Sequence, residues 1–293
     1  MITPGIDHVL GKTSDYVFSY NPGVLAREPR AGNRTIYGID ENTLPFVGAD
    51  IWHAYECSFL LNNGLPITGI LKMCVSAKTQ YLVESKSLKM YLFSFNMEKL
   101  GATRADAVQL FCATVSRDIS AVVDVLAKVS FFDTYTVSVS DDLLSNALPL
   151  SAFVRDLETM SFKEFTENHE LLDNGDLTDF FISSDLLRSN CKITHQPDWG
   201  TVFIRMKSGM GISAESLARY LVSFRGENHF HEEIVECIYK RLWDRFTPES
   251  LMVCALYTRR GGIDICPVRA SSADQLPAAL LNTTLLTTKE YRR

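Results

Sequence analysis

The sequence predicts an α+β fold in which one strand–helix–helix–strand unit is built twice. Three observations point to it. First, Ser87-Leu88-x-x-Tyr91-Leu92-x-Ser94-Phe95 recurs as Ser216-Leu217-x-x-Tyr220-Leu221-x-Ser223-Phe224, six identities in nine positions in one register. Second, a further amphipathic stretch follows each copy. Third, each of those stretches leads into a run that reads as strand. The boundary expected from this pattern is a first unit over 1–140 and a linker plus second unit over 141–293.

In chain order, residues 1–45 are polar and broken by Pro22, Gly23, Pro29, Gly32 and Gly38. They predict an irregular arm that wraps a core without forming one. A mixed stretch over 45–61 ends in Asn62-Asn63-Gly64, a hairpin-type turn, and a strand follows over 67–77. Leu88, Tyr91, Leu92 and Phe95 share one helical face. After a break at Gly101, Val108, Phe111, Cys112 and Val115 form the inner stripe of a helix over 105–119. Strand resumes over 129–140, where Tyr135, Val137 and Val139 alternate with Thr136, Ser138 and Ser140. Residues 141–180 are acidic, include Asn174-Gly175, and read as the connection between units. A strand is expected over 201–207, with Val202, Ile204 and Met206 on one face and Gly209-Met210-Gly211 turning the chain. Helices are expected over 214–224 and 231–246 and a strand over 251–258. Gly261-Gly262 and a short tail would end the chain.

The 293 residues are 46% hydrophobic and 11% aromatic, enough for two cores, and the net charge of −6 argues against non-specific nucleic-acid binding. Met1-Ile2-Thr3-Pro4-Gly5 begins no signal peptide, and no apolar run approaches the ~20 residues of a membrane span. Seven cysteines without CxxC spacing fit free thiols in a reducing cytoplasm, and offer no structural zinc site.

Candidate chemistry gathers at a few points. Glu84, Ser85 and Lys86 crowd the mouth of a strand-to-helix turn, where unsatisfied N–H groups favour negative charge; capping alone accounts for Glu84 and Ser85 equally well. The two copies differ here, because the second has Ser213-Ala214-Glu215 and lacks the lysine. Cys191 lies in a polar segment beside Lys192, outside the apolar stripes that hold most other cysteines, and is the candidate thiolate. Asp198, after Pro197, reads either as its partner or as a turn residue. His229-Phe230-His231-Glu232-Glu233 lacks HExxH spacing and reads as a helix start, leaving Glu232 available to a ligand with paired N–H donors. Arg259-Arg260-Gly261-Gly262 suits a phosphate or an ordinary basic turn. No GxGxxG follows a strand, so a Rossmann domain is not supported.

Together these segments resemble the NADPH-dependent 7-cyano-7-deazaguanine reductases, the nitrile reductases of queuosine biosynthesis, in their longer two-module branch. Glu84-Ser85-Lys86-Ser87-Leu88-Lys89 resembles the family signature, with Met90 a mild departure in an apolar slot. Ser189-Asn190-Cys191 through Thr194-His195-Gln196-Pro197-Asp198-Trp199-Gly200 resembles its nucleophile segment. Phe230-His231-Glu232 and Tyr257-Thr258-Arg259-Arg260-Gly261-Gly262-Ile263-Asp264 match two further blocks, and the likeness runs from Gly11-Lys12 almost to the end.

The resemblance implies tandem tunnelling-fold units, antiparallel sheets with helix pairs on one side, paired into a homodimer. It implies reduction of a nitrile to a primary amine with two NADPH per turnover and no metal. Cys191 would be the nucleophile and Asp198 the proton donor. Val83, Glu84, Ser85, His231 and Glu232 would hold the small 7-deazaguanine substrate, and Ser85, Lys86, Arg260 and Gly261 would hold NADPH. No direct nucleic-acid or membrane partner is implied. A cysteine hydrolase, a zinc-dependent purine or pterin enzyme of the same fold, and a non-catalytic purine-binding module are the rival readings. Spacing alone leaves Asp198 or His195 as the donor. Glu84 and Cys191 from one chain is a simpler expectation than a site shared between subunits.

Overall fold

The computed structural model describes residues 19–133 and 142–286. The chain runs through β1 (Arg27–Pro29), α1 (Ala31–Ile36), β2 (Val47–Leu60), β3 (Pro66–Ser76), β4 (Tyr81–Val83), α2 (Ser85–Phe93), α3 (Arg104–Val123) and β5 (Lys128–Phe132). It continues through α4 (Asp142–Ser145), β6 (Leu148–Pro149), β7 (Asn174–Ser184), β8 (Arg188–Cys191), β9 (Pro197–Ile212), α5 (Ala214–Ser223), β10 (Asn228–His229), α6 (His231–Phe246), β11 (Ser250–Tyr257), β12 (Ile263–Ala270) and α7 (Ala278–Leu281). This is a mixed α+β fold. The expected strand residues Tyr135, Val137 and Val139, and residues 1–18, lie outside the described residues.

The four main helices follow their apolar periodicity. Phe111, Val115, Ile119 and Val123 of α3 are buried in successive turns, with Thr103 capping its start. In α6, Ile234, Val235, Ile238, Tyr239 and Leu242 are buried. Antiparallel pairing runs in the order β7, β9, β11, β12, β2, β3, β5, and β8 extends the β7 edge against the start of β9. Leu71, Met73, Ile263 and Ile265 pack with α2 and α3, while Val202, Ile204, Val253 and Ala255 pack with α5 and α6. Both helix pairs therefore cover the same face of the sheet, since β12 presents alternate residues to each side. The opposite face holds a smaller cluster including Ile51, Phe203, Cys254, Val268 and Leu280. There the Lys72 ammonium donates to the carbonyls of Ala279, Asn282 and Leu285, tying the α7 segment to β3.

Four features differ from the sequence expectation. The residues after Gly262 are not a tail: they form β12, paired with β11 on one edge and β2 on the other, so it joins the two halves. Its alternation is hidden because both faces are buried, and Pro267 and the charged Asp264 and Arg269 mimic a loop. Gly209-Met210-Gly211 does not turn the chain; β9 runs through it. A Cβ on Gly211 would lie 2.1 Å from the carbonyl oxygen of Gly175, so the glycine allows close strand approach where the β7–β9 register shifts. Asn174-Gly175 accordingly opens a strand and is not part of an irregular connection. The arm does enter the core: Tyr37 and Ile39 pack with the α5–α6 half.

Candidate functional site

A cavity of about 220 Å³ opens where the starts of α2 and α6 meet the β8–β9 turn and the β11–β12 loop. Its lining contains Cys191, Asp198, Val83, Glu84, Ser85, Lys86, His231, Glu232, Arg260 and Gly261, the ten residues to which the resemblance gives roles. Glu84 and Cys191 thus reach one cavity from a single chain. His195 is absent from that lining; it is exposed, its φ is +56°, and its Nδ1 lies 2.8 Å from Asn228 Oδ1.

Each side chain is placed by local structure. Cys191 ends β8, and its amide donates to Gln196 O (2.8 Å) while its carbonyl accepts from His195 N (3.0 Å), closing a tight loop. Burial acts to raise the Cys191 thiol. The Thr194 hydroxyl and amide, the Ile193 amide and the Arg260 guanidinium together outweigh it and hold the thiol below its ordinary value. Asp198 is 5% exposed. Its Oδ1 lies 3.0 Å from Arg260 Nη1 and its Oδ2 3.3 Å from His231 Nε2. The His231 ring stacks on Tyr257 with centroids 3.8 Å apart.

Glu84 is the N-cap of α2, accepting from Lys86 N (3.0 Å) and Ser87 N (2.6 Å). The helix start therefore fixes a buried carboxylate at the cavity, and each oxygen retains acceptor capacity. Glu232, in the first turn of α6, is 3% exposed. Burial first, then the nearby Asp50 carboxylate, push its pKa up to about 7 against the opposing pull of Arg30 and His231.

Lys86, Lys89 and Arg260 make one side of the cavity cationic, and Gly261 there has a φ of +60°. A Cβ on Gly261 would come within 3.0 Å of Lys89 Nζ, so glycine leaves backbone exposed beside the cations. This donor set fits an anionic dinucleotide without a Rossmann loop. Among the described residues, the grouping with three potential metal-binding atoms is His53, Asp264 and Cys266 on the opposite sheet face. Its His53 Nδ1–Asp264 Oδ1 separation of 2.7 Å is a hydrogen bond. Sequence reasoning missed Thr194, Lys89 and Tyr257. All three sat inside matched segments, but only a folded turn, the cavity lining or a ring stack gives them a place.

The family described as "Nitrile reductase, 7-cyano-7-deazaguanine-reductase N-term" matches residues 16–131, and the one described as "QueF-like protein" matches residues 197–275. The NADPH-dependent 7-cyano-7-deazaguanine reductase of Chromohalobacter salexigens is 38% identical, covering 92% of this chain and 94% of its own. That of Delftia acidovorans is 39% identical over 92% and 95%. The chain belongs to the NADPH-dependent 7-cyano-7-deazaguanine reductase family. A solved structure of an archaeosine synthase QueF-Like in the apo form aligns with 33% of this chain and 95% of its own, at 18% identity and a TM-score of 0.30. The reductase family is one of oxidoreductases, and both matched segments contribute to the cavity lining: Glu84 and Lys86 from one, Asp198, Glu232 and Arg260 from the other. Among the described residues no helix is long and apolar enough to cross a membrane.

Proposed function

We propose that this chain reduces the nitrile of 7-cyano-7-deazaguanine to the primary amine of 7-aminomethyl-7-deazaguanine, for queuosine biosynthesis, through a thioimide on Cys191. The observation that carries this reading is one cavity holding an acidified thiol, a buried aspartate that shares Arg260 with it, and two buried carboxylates, Glu84 and Glu232. A nitrile is a poor hydride acceptor. Addition of the Cys191 thiolate to its carbon, with a proton passed from Asp198 to its nitrogen, gives a better electrophile. NADPH, two molecules per amine, supplies the hydrides when bound against Ser85, Lys86, Arg260 and Gly261. After the first reduction the carbon–sulfur bond breaks, Cys191 leaves as thiolate, and the resulting imine is reduced. Two protons complete the balance. Val83, Glu84, Ser85, His231 and Glu232 orient the base.

The same reading takes the chain as two tunnelling-fold units, over 1–140 and 141–293, paired as a homodimer in the cytoplasm. The shared helix-bearing face and seven free thiols support it. Titration with 7-cyano-7-deazaguanine without NADPH, followed by absorbance and intact mass, tests the chemistry. A covalent adduct that Cys191→Ala abolishes is expected; binding without an adduct would sink the thioimide. NADPH consumed per amine formed then separates reduction from hydrolysis.

A further inference from the structure

Behind the cavity, Glu232 and Glu236 lie one turn apart on α6, so a single face of the helix carries both carboxylates. Glu236 is enclosed by three arginines from two parts of the chain, Arg30 and Arg34 at α1 and Arg269 in β12. Arg34 Nε approaches its Oε2 at 2.9 Å, Arg269 Nη2 its Oε1 at 2.8 Å, and Arg30 Nη1 its Oε1 at 3.4 Å. Arg30 also pairs with Asp50 of β2, and Asp50 Oδ1 lies 2.9 Å from Arg269 Nη1. All five groups are buried, with exposures of 3% or less. Arg34 Nη1 also lies 3.4 Å from Glu41 Oε1, so Arg34 has two carboxylates, while Arg30 and Asp50 are the charged pair that acts on Glu232. Arg30 Nε has no hydrogen-bond partner among the described residues, so Asp50 and Glu236 do not use up that guanidinium.

We propose that Arg30 and Asp50 are positioning residues that govern, from behind the cavity, the charge on Glu232 and hence its grip on the N–H edge of a guanine-like base. The proposal rests on the function argued above. A carboxylate accepts two N–H donors only when ionised, and protonation replaces an acceptor with a donor. Burial and Asp50 push the Glu232 pKa up to about 7, Arg30 and His231 oppose them, and the start of α6 favours the charged form. From β11, Tyr257 faces the same group: burial first, then Asp198 and Glu232, raise its hydroxyl far above the ordinary value. Glu232 loses its charge as pH falls through its pKa. Removing the Arg30 cation raises that pKa, and removing the Asp50 anion lowers it.

The test is the affinity for 7-cyano-7-deazaguanine across about pH 5.5 to 9, measured in a Cys191→Ala background so that no adduct forms. Arg30→Gln is expected to move the acid limb of affinity up by about one pH unit, a roughly fivefold weakening at about pH 7 that grows toward about tenfold in acid. Asp50→Asn should move it down and strengthen binding in acid, and Arg30→Lys should restore the background profile. Shifts in the same direction, or unmoved limbs with affinity retained, overturn the proposal. Should Arg30→Gln misfold, Asp50→Asn still decides, since a damaged protein does not gain affinity at low pH. A background protein that binds no base at any pH defeats the functional reading itself, and the proposal with it.

Discussion

At the mouth of α2, the backbone of Ala26 is held twice: its carbonyl accepts from Glu84 N and its amide donates to Ser87 Oγ, both at 3.0 Å. At the mouth of α5, Asp173 is held in the same way by Ser213 N (3.0 Å) and Ser216 Oγ (3.1 Å). The far ends match too. Ser94 Oγ accepts from Asn21 N and Ser223 Oγ from Asn168 N, both at 3.3 Å, while Glu98 and Glu227 accept from the amides of Tyr20 and Glu167. Against this shared frame the caps differ. Ser213 closes α5 with a hydroxyl, accepting from Ser216 N at 3.2 Å. Glu84 does the same task with a carboxylate kept 5% exposed. Capping needs only the hydroxyl, so the buried charge at Glu84 exceeds what the helix requires. The two mouths share one hydrogen-bonded scaffold and differ in the side chain that caps them.

Glu84→Ser, which imports the cap of α5, tests that contrast most severely. Affinity for 7-cyano-7-deazaguanine should fall by about 100-fold, the loss of charge-assisted bonds worth about 3 kcal/mol, while thermal unfolding stays near the parent. Retained affinity by calorimetry would erase the difference between the mouths. Lys86→Glu, the residue type of the second mouth, should raise the KM for NADPH about 10-fold or more and leave base binding in the Cys191→Ala background almost unchanged. Equal weakening of both ligands would move Lys86 out of the dinucleotide wall.

The second half's own contribution is open to alkylation. Burial pushes Cys57 up to about 12 and Cys74 and Cys112 up to about 11, while Cys191 lies below the ordinary thiol value. Iodoacetamide at neutral pH should therefore modify Cys191 first, fading as pH falls through its pKa. Arg260→Gln, which removes a cation from the thiolate, should slow that reaction several-fold, as mass mapping would read. The smallest effect belongs to Ser213→Ala. It should cost about 1 kcal/mol of stability and leave kcat/KM unchanged; lost activity would mean that the second mouth also serves chemistry.

The main helices were legible because their partners lie within one repeat: Leu88, Tyr91 and Leu92, or Phe111 and Val115, declare a buried face by spacing alone. The tight clustering of Cys191, Asp198, Glu84 and Glu232 was legible only as a family resemblance, since no local period links residues brought together by three separate turns. Arg30, Arg34 and Arg269 were illegible. A lone arginine in a polar arm reads as solvated, and only Glu236 and Asp50, distant in sequence, make its burial tolerable. Asp264 and Arg269 disguised β12 for the same reason.

That late strand has a consequence for synthesis. β2 is complete when Leu60 has been made, yet the partner for one of its edges, Ile263–Ala270, is made roughly 200 residues later. At translation rates of about 5–20 residues per second that edge stays unpaired for roughly 10–40 s. A nascent chain with an open apolar edge invites pairing with its neighbours on a polysome, so this fold is most vulnerable to aggregation just before its last strand emerges from the ribosome.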